Sequence, residues 1–244
     1  MKRIIYIILI VIFSTIFLYS SYKIITWKKD NINTDKITKK IKEAISYTDD
    51  VKDEEKDEVN IDFSSLQKIN KDTVAYIKVN NTNVSYPVVQ TKNNSYYLTH
   101  SFDKKYNSAG WIFMDYHNKL DGSDKNIVIY GHDRKDDSMF GSLDNILKKD
   151  WYTNTDNQEI IFITLKEKTI YKIFSVYQIK VEDYYINTEF SDEEFIKFLD
   201  VLKSRSIYDF KVSLTENDSI LTLSTCLSHN NNYRVVLHAV KVIN

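Results

Sequence analysis

The sequence predicts a mostly β fold in which about eight strands and a few helices form a closed or nearly closed, largely antiparallel barrel. From residue 73 onwards, short runs rich in Val, Ile, Tyr and Phe alternate with polar turns, a pattern typical of β-strands. Hydrophobic residues make up 43% and aromatic residues 14% of the 244 residues, which suffices for a core and excludes general disorder. A net charge of -1 gives no electrostatic reason to expect nucleic acid as a partner.

An apolar segment precedes this barrel. Residues 4–22 contain no charged side chain and are numerous enough to cross a bilayer core of ~30 Å. A cleaved signal peptide is the alternative, but no Ala-x-Ala-like site follows the apolar run. We therefore expect a short N-terminal stretch at 1–3, a transmembrane anchor at 4–22, a helical and charged stalk at 23–60, and the main domain at 61–244. Lysines on both flanks of the anchor leave its orientation open.

The first elements follow from local patterns. Residues 34–47 carry isoleucines four apart and predict an amphipathic helix, whereas the almost wholly charged run 49–58 predicts a solvated linker. Residues 74–79 and 84–89 flank an Asn-rich turn and predict a hairpin. Pro87 confines the second strand of this hairpin to an edge or a bulge.

The remaining elements complete the barrel. Strands are predicted at 110–115, 126–132, 158–165 and 169–181, and a helix at 138–147. Ser191 and the three acidic residues after it predict the start of a helix over 191–204. Two last strands surround Cys226 and Arg234.

An acidic loop that ends at Asp124 follows the strand predicted at 110–115. It fails the calcium-binding template, because His117 and Lys119 stand at positions where the template needs oxygen ligands. We therefore predict neither a metal nor another cofactor.

Cys226 is the only cysteine, so the chain cannot form an intramolecular disulfide. Alternation along its strand places it on the more polar face, while the leucines mark the opposite face as the better candidate for packing. The faces are Ile220, Thr222, Ser224 and Cys226 on one side, and Leu221, Leu223 and Thr225 on the other. The short polar loop 228–232 predicts a hairpin that brings Arg234 beside Cys226.

His132 is the best of the five histidines as a proton-transfer partner, because it ends a strand directly after Gly131. His238 lies within an apolar strand, and the other three histidines lie in loops. From the pattern alone, a catalytic Cys–His pair and a buried, inert thiol both remain open.

Several motifs taken together closely resemble the sortases, which are membrane-anchored cysteine transpeptidases of the thiol-protease type on the outer face of Gram-positive bacteria. The motifs are Tyr130-Gly-His132, Leu223-Ser-Thr-Cys226, Arg234-Val-Val-Leu-His-Ala, Asn83-Val-Ser-Tyr-Pro-Val-Val-Gln90 and Asn94-Ser-Tyr-Tyr-Leu98. The resemblance runs from about residue 60 to the end of the sequence. The helical extension and the helix at 191–204 resemble class B in particular. The resemblance implies an eight-stranded sortase-type β-barrel with N-terminal helices and a helix before the cysteine strand.

The resemblance also implies roles for individual residues. Cys226 attacks the carbonyl of a threonine in the C-terminal sorting signal of a surface protein, and an amine of a cell-wall precursor resolves the thioacyl enzyme. His132 transfers protons, and Arg234 binds the oxyanion or the substrate backbone. The residues that match the substrate groove are Asn94, Leu98, Ser224 and Thr225.

The implied partners are an NPQTN-like or related sorting peptide, an amine of the peptidoglycan precursor, and a cell membrane. By this resemblance the chain crosses the membrane once, with residues 1–3 in the cytoplasm and the barrel outside. The loop after Cys226 is short and lacks an acidic residue, so we expect no carboxylate to act from there. Three alternatives remain: a membrane-tethered cysteine endopeptidase that only hydrolyses, a pilus-related sortase of another class, and a non-catalytic surface module with a buried thiol.

Overall fold

The structure of the protein is a computed structural model. It describes residues 2–48, 58–227 and 230–242, with the side chains at 46–48, 58, 226–227 and 230–231 left out. Most of the predicted charged linker at 49–58, the Cys226 side chain and part of the loop 228–232 therefore lie outside the described residues.

One helix, α1 (Lys2–Lys42), begins the described chain and extends over 41 residues. Because no glycine or proline interrupts these residues, the helix has no intrinsic break. Its first part exposes apolar side chains and is long and apolar enough to cross a membrane. Its last part buries Thr34, Ile37 and Ile41 against the domain. The helix predicted at 34–47 is therefore the end of α1, and it stops at Lys42 because residues 45–48 form a strand.

The structure describes ten strands, and eight of them close into a barrel. The strands are β1 (Ile45–Thr48), β2 (Glu58–Ile61), β3 (Thr73–Val79), β4 (Ser85–Val89), β5 (Phe113–Met114), β6 (Asn126–Gly131), β7 (Glu159–Thr164), β8 (Lys168–Lys180), β9 (Ile220–Leu227) and β10 (Asn230–Lys241). The order around the barrel is β10-β8-β7-β3-β4-β5-β6-β9, and β1 and β2 form a separate two-stranded sheet. The predicted eight-stranded barrel is confirmed. Strand β5 is shorter than the predicted strand 110–115.

Three further α-helices lie between or before the barrel strands in the chain: α2 (Phe63–Ile69), α3 (Lys149–Thr153) and α4 (Asp192–Ser204). The predicted start of α4 is confirmed, because Ser191 and Glu194 form a reciprocal capping box. The helix predicted at 138–147 is a 3-10 helix over Gly141–Leu147 instead.

Strand β9 is buried on both faces over residues 220–225, whose side chains the structure describes. Leu221 and Leu223 are fully buried, as their pattern predicts, but Thr222 and Ser224 on the more polar face are buried as well. The leucine face is packed as expected, and the more polar face is packed as well. The physical reason is that polar partners cover the other face: Asn126 and His238 contact Thr222, and Tyr185 contacts Ser224.

Candidate active site

Three adjacent strands bring His132, Cys226 and Arg234 into one row. Parallel strands β6 and β9 pair Gly131 with Thr225, so the next residues along the chain, His132 and Cys226, continue side by side. Antiparallel strands β9 and β10 pair Cys226 with Arg234 directly. Residues paired in this way have Cα atoms roughly 4.5–5.5 Å apart. The row follows from the backbone register alone and does not depend on the Cys226 side chain.

The imidazole of His132 is half-buried and held by one hydrogen bond. Its Nε2 lies 2.7 Å from the carbonyl oxygen of Leu98. A carbonyl oxygen can only accept, so Nε2 carries a proton in this arrangement. Gly110 packs against the ring so closely that a Cβ there would lie 2.9 Å from Cδ2 of His132. Gly110 also has a φ of +59°, a left-handed conformation that favours glycine.

Arg234 lies half-buried across the row from His132. Its Nη1 donates a hydrogen bond to the backbone oxygen of Tyr233 at 3.0 Å.

A cavity of about 270 Å³ lies beside this row. Every predicted site residue whose side chain is described lines it: Asn94, Leu98, His132, Ser224, Thr225 and Arg234. The rest of its lining comes mainly from the ends of β5 and β6 and from the segment between β8 and α4. The predicted residues therefore converge on a single pocket large enough for part of a peptide.

Asp115 organises one wall of this cavity from behind. Its side chain is buried, and its Oδ2 accepts hydrogen bonds from Asn94 Nδ2 at 2.7 Å and from the Tyr130 hydroxyl at 2.8 Å. Its Oδ1 accepts from the backbone N–H of His117 at 2.9 Å. Burial, and then the neighbouring Asp115 charge, raise the pKa of Tyr130, so this hydroxyl stays protonated and directs its hydrogen to Asp115.

A buried polar chain supports the site strands from beneath. The Thr222 hydroxyl donates to Asn126 Oδ1 at 2.7 Å and lies 2.8 Å from Nδ1 of His238, whose Nε2 lies 2.8 Å from the Tyr177 hydroxyl. Burial, with a smaller contribution from the Arg205 charge, lowers the pKa of His238 to about 3. His238 is therefore a neutral structural group, which agrees with its place in an apolar strand.

Sequence reasoning missed three side chains of the site: Asp115, Tyr130 and Tyr185. Tyr130 could have been singled out, because it precedes Gly131 in the same motif as His132. Asp115, which supports the lining residues Asn94 and Tyr130 from behind, and Tyr185, which lines the cavity, had no local signal because their partners lie far away in the chain. Among the described residues, no group of three or more His, Cys, Asp or Glu side chains could hold a metal ion.

Comparison with known proteins identifies the family. The family model for the sortase domain matches residues 77–242, a span that includes the whole row of His132, Cys226 and Arg234. The chain belongs to the sortase family. Sortase B of Staphylococcus aureus (strain NCTC 8325 / PS 47) is 35% identical to it over 231 residues, covering 93% of this chain and 91% of that protein.

Solved sortase structures agree with this assignment. A Staphylococcus aureus sortase B–substrate complex has a TM-score of 0.69 at 37% identity, covering 74% of this chain and 84% of that one. A sortase B complexed with triglycine has a TM-score of 0.73 at 32% identity, covering 88% of this chain and 98% of that one. The chain is therefore a class B-like sortase transpeptidase, a cysteine-dependent enzyme.

Proposed function

We propose that this sortase cleaves a surface protein's sorting signal after threonine, through a thioacyl intermediate on Cys226, and transfers the protein to a cell-wall amine. The observation that carries the proposal is the backbone row of His132, Cys226 and Arg234 beside a peptide-sized cavity. The thiolate of Cys226 attacks the threonine carbonyl, the C–N bond breaks, and the amine leaves with a proton. The incoming amine then attacks the thioester, loses a proton and releases the thiolate.

His132 is the proposed proton donor and acceptor in both steps. Its neutral ring carries a proton on Nε2, which faces the Leu98 carbonyl oxygen, so Nδ1 is the nitrogen that can accept. A second proton on this ring would make it a cation, which favours the thiolate of a neighbouring cysteine. Leu98 is also a proposed groove residue, so a bound peptide that moves its carbonyl would free Nε2 for proton transfer.

Arg234 is the proposed ligand of the oxyanion or of the substrate backbone. Its position opposite Cys226 in the register and its place in the cavity lining support this role. A donor directed at the developing oxyanion contributes about 3 kcal/mol to lowering the barrier. The planar fork of the guanidinium suits this task better than a lysine ammonium does.

The groove residues suit an extended peptide. Asn94 uses one Nδ2 hydrogen to bind Asp115 and retains a second for a substrate carbonyl. Leu98, Ser224 and Thr225 supply apolar and hydroxyl contacts on the same cavity. We propose an NPQTN-like or related motif as the peptide, in keeping with the similarity to the Staphylococcus aureus sortase B–substrate complex. The similarity to a sortase B complexed with triglycine supports a peptide-like primary amine as the acceptor.

The proposed location is a cell membrane crossed once by residues 4–22, with residues 61–244 as the catalytic domain outside and 23–60 as the connection. The exposed apolar side chains on the first part of α1 support this location, because they have no partner within the described part of the domain. Peptidoglycan and its precursors lie on the same side as such a domain.

Product analysis with a purified, detergent-solubilised chain tests the proposal. A sorting peptide should be cleaved after threonine, and an added amine should appear joined to the new threonine carboxyl end. Hydrolysis without any amine adduct would support the membrane-tethered endopeptidase instead. Cys226→Ala and His132→Ala should each abolish turnover, whereas His100→Ala, a matched change outside the cavity lining, should retain it.

Thiol labelling separates an enzyme from a surface module with an inert cysteine. Because Cys226 is the only cysteine, a methanethiosulfonate reagent reports on it alone, and Cys226→Ala provides the background. A catalytic thiol reacts with the reagent in the folded protein, and the enzyme then loses its activity. An inert buried thiol resists the reagent. Wild-type turnover after complete labelling would contradict the assignment of Cys226 as the nucleophile.

A further inference from the structure

One wall of the active-site cavity is formed by residues 181–187, which connect β8 to α4 and which we call the wall segment. The residues of this segment that line the cavity are Val181, Glu182, Asp183, Tyr185 and Ile186. Its regular structure is a single 3-10 turn at Tyr184–Ile186. The N–H of Val181 donates to the backbone oxygen of Asn232 at 2.9 Å, but the described backbone–backbone hydrogen bonds of residues 182–187 only join residues of the segment to each other. Side chains must therefore hold this wall in place.

Two hydrogen bonds join the C-terminal half of the wall segment to the barrel. The hydroxyl of the buried Tyr185 lies 2.9 Å from Oγ of Ser224 on β9. Nδ2 of Asn126, at the start of β6, donates to the backbone oxygen of Asn187 at 2.9 Å. Asn126 and Ser224 are themselves buried. This half of the wall is therefore fixed to β6 and β9, the two parallel strands of the active site.

Arg205 holds the N-terminal half of the wall segment. Its Nη1 donates to Oε1 of Glu182 at 2.6 Å, and the side chains of Arg205 and Glu182 are only 24% and 34% exposed. The centre of the guanidinium also lies 5.2 Å from the ring centroid of Tyr184 and 5.9 Å from that of Tyr177 on β8. One guanidinium therefore binds a carboxylate and lies over two aromatic rings, a combination that its planar, fork-shaped group permits.

Helix α4 supports Arg205 from the other side. Arg205 is the residue at which α4 ends, and its backbone N–H donates to the backbone oxygen of Val201 at 3.2 Å. The backbone oxygen of Leu202, one turn before Arg205, accepts a hydrogen bond from the hydroxyl of Ser175 on β8 at 2.6 Å. The side chains of α4 that are buried in the core are Phe195, Phe198, Leu199 and Leu202. Because α4 is packed against the barrel in this way, the backbone of Arg205 stays in place when the wall segment moves.

We propose that Arg205 is a positioning residue for the sortase reaction, which ties the wall segment to α4 and so keeps this wall of the cavity in place for the sorting peptide. Arg205 is not among the described residues that line the cavity, so it acts through Glu182, which is. Without the guanidinium, the N-terminal half of the wall is released while Tyr185 and Asn187 still hold the other half. The peptide then binds only those molecules whose wall is in place, which raises KM by the inverse of their fraction. This inference rests on the proposed cleavage of a sorting peptide.

Steady-state kinetics of the detergent-solubilised full chain test the inference. Arg205→Met removes the guanidinium but keeps an apolar stem, and it should raise KM for a sorting peptide by about fivefold while kcat stays near the wild-type value, since a partly exposed ion pair shifts an equilibrium by up to about this factor. Arg205→Lys should raise KM by only about twofold, because the ammonium keeps the charge but not the planar fork. Lys197→Gln removes a positive charge from an exposed position of the same helix and is the matched control, which should keep the wild-type KM.

A double-mutant cycle separates the clamp from a direct contact between Glu182 and the peptide. In the Glu182→Ala background, Arg205→Met should raise KM by less than about twofold further, because the interaction that it breaks is already absent. Calorimetry with the inactive Cys226→Ala chain measures peptide binding without turnover. There, Arg205→Met should weaken binding by the same factor of about five, since the clamp acts before the chemical step.

Three results would overturn the inference: a fall in kcat at unchanged KM for Arg205→Met, an equal rise in KM for Lys197→Gln, or the full fivefold effect of Arg205→Met in the Glu182→Ala background. Urea unfolding establishes that each variant is folded under the assay conditions. If Arg205→Met does not fold, Glu182→Ala decides the question, because it breaks the same ion pair from the wall side and an unchanged KM there would be equally contradictory. Failure of the wild-type chain to cleave any sorting peptide would contradict the proposed function instead.

Discussion

Acidification should destabilise this protein through one buried histidine, His238. Its ring lies between the Thr222 and Tyr177 hydroxyls, 2.8 Å from each. The Thr222 hydroxyl already donates to Asn126, so it accepts from Nδ1 of His238, and Nε2 must accept from Tyr177. A second proton on the ring would fall on Nε2, the only acceptor position, and would place a cation in a fully buried site near Arg205.

The magnitude follows from the two pKa values of this group. In the unfolded chain the imidazole takes up a proton near its ordinary pKa of 6.5, whereas burial lowers the pKa in the folded protein to about 3. Between these values the unfolded state binds more protons, so the free energy of unfolding falls as the pH falls, by up to about 1.4 kcal/mol per pH unit. From about pH 7.5 to about pH 5, this one group lowers the free energy of unfolding by about 2 kcal/mol.

Urea unfolding of the detergent-solubilised chain at both pH values measures the effect. His238→Gln should be less stable than the wild type at about pH 7.5, because its amide cannot reproduce both hydrogen bonds. It should then lose about 2 kcal/mol less than the wild type on acidification to about pH 5. His100→Gln, at a partly exposed loop position, controls for the loss of one imidazole. If His238→Gln and the wild type lose the same stability between the two pH values, the reasoning about this buried ring is refuted.

Two further predictions concern the walls of the site. Gly131→Ala should lower the free energy of unfolding by about 1–3 kcal/mol, because its Cβ would lie 2.5 Å from Cδ1 of the fully buried Ile112. Movement of the backbone to relieve this clash should also displace the adjacent His132 and reduce peptide turnover. An unchanged melting temperature together with unchanged turnover would contradict the predicted clash. Asp115→Asn should raise KM for a sorting peptide more than it lowers kcat, and should lower the free energy of unfolding by about 1–3 kcal/mol. The reason for both effects is that one amide cannot accept from every donor that the carboxylate satisfies. Steady-state kinetics and urea unfolding measure both effects, and a fall in kcat alone would point to a different role for Asp115.

Strand patterns in the sequence predicted much of the arrangement of the site in this protein. Alternation along β9 and the short turn after it predicted that Cys226 and Arg234 are neighbours, and the observed register pairs them. The strand that ends at Gly131 predicted where His132 stands, and the parallel pairing with β9 puts it beside the same position. Each of these predictions needs only the two-residue period of a strand and a local turn.

Patterns failed where a distant segment decides what a residue contacts. Thr222 and Ser224 read as a more polar face, yet both are buried because His238 and Tyr185 cover them. The end of α1 at Lys42 was missed because pairing of β1 with β2, not helix propensity, sets the state of residues 45–48. Burial depends on which segments pack together. The pattern of a single strand or helix does not indicate which other segments pack over it.

By itself, the sequence determined the strand content, the apolar first segment, the start of α4 and the residues able to do the chemistry, because these depend on local periodicity, capping and functional groups. Only the tertiary structure decided that Asp115 holds Asn94 and Tyr130, and that Asp30 and Asn31 of α1 hold the loops around His132. The physical reason is that these hydrogen bonds join residues far apart in the chain. They form only after closure of the barrel has fixed the positions of both partners.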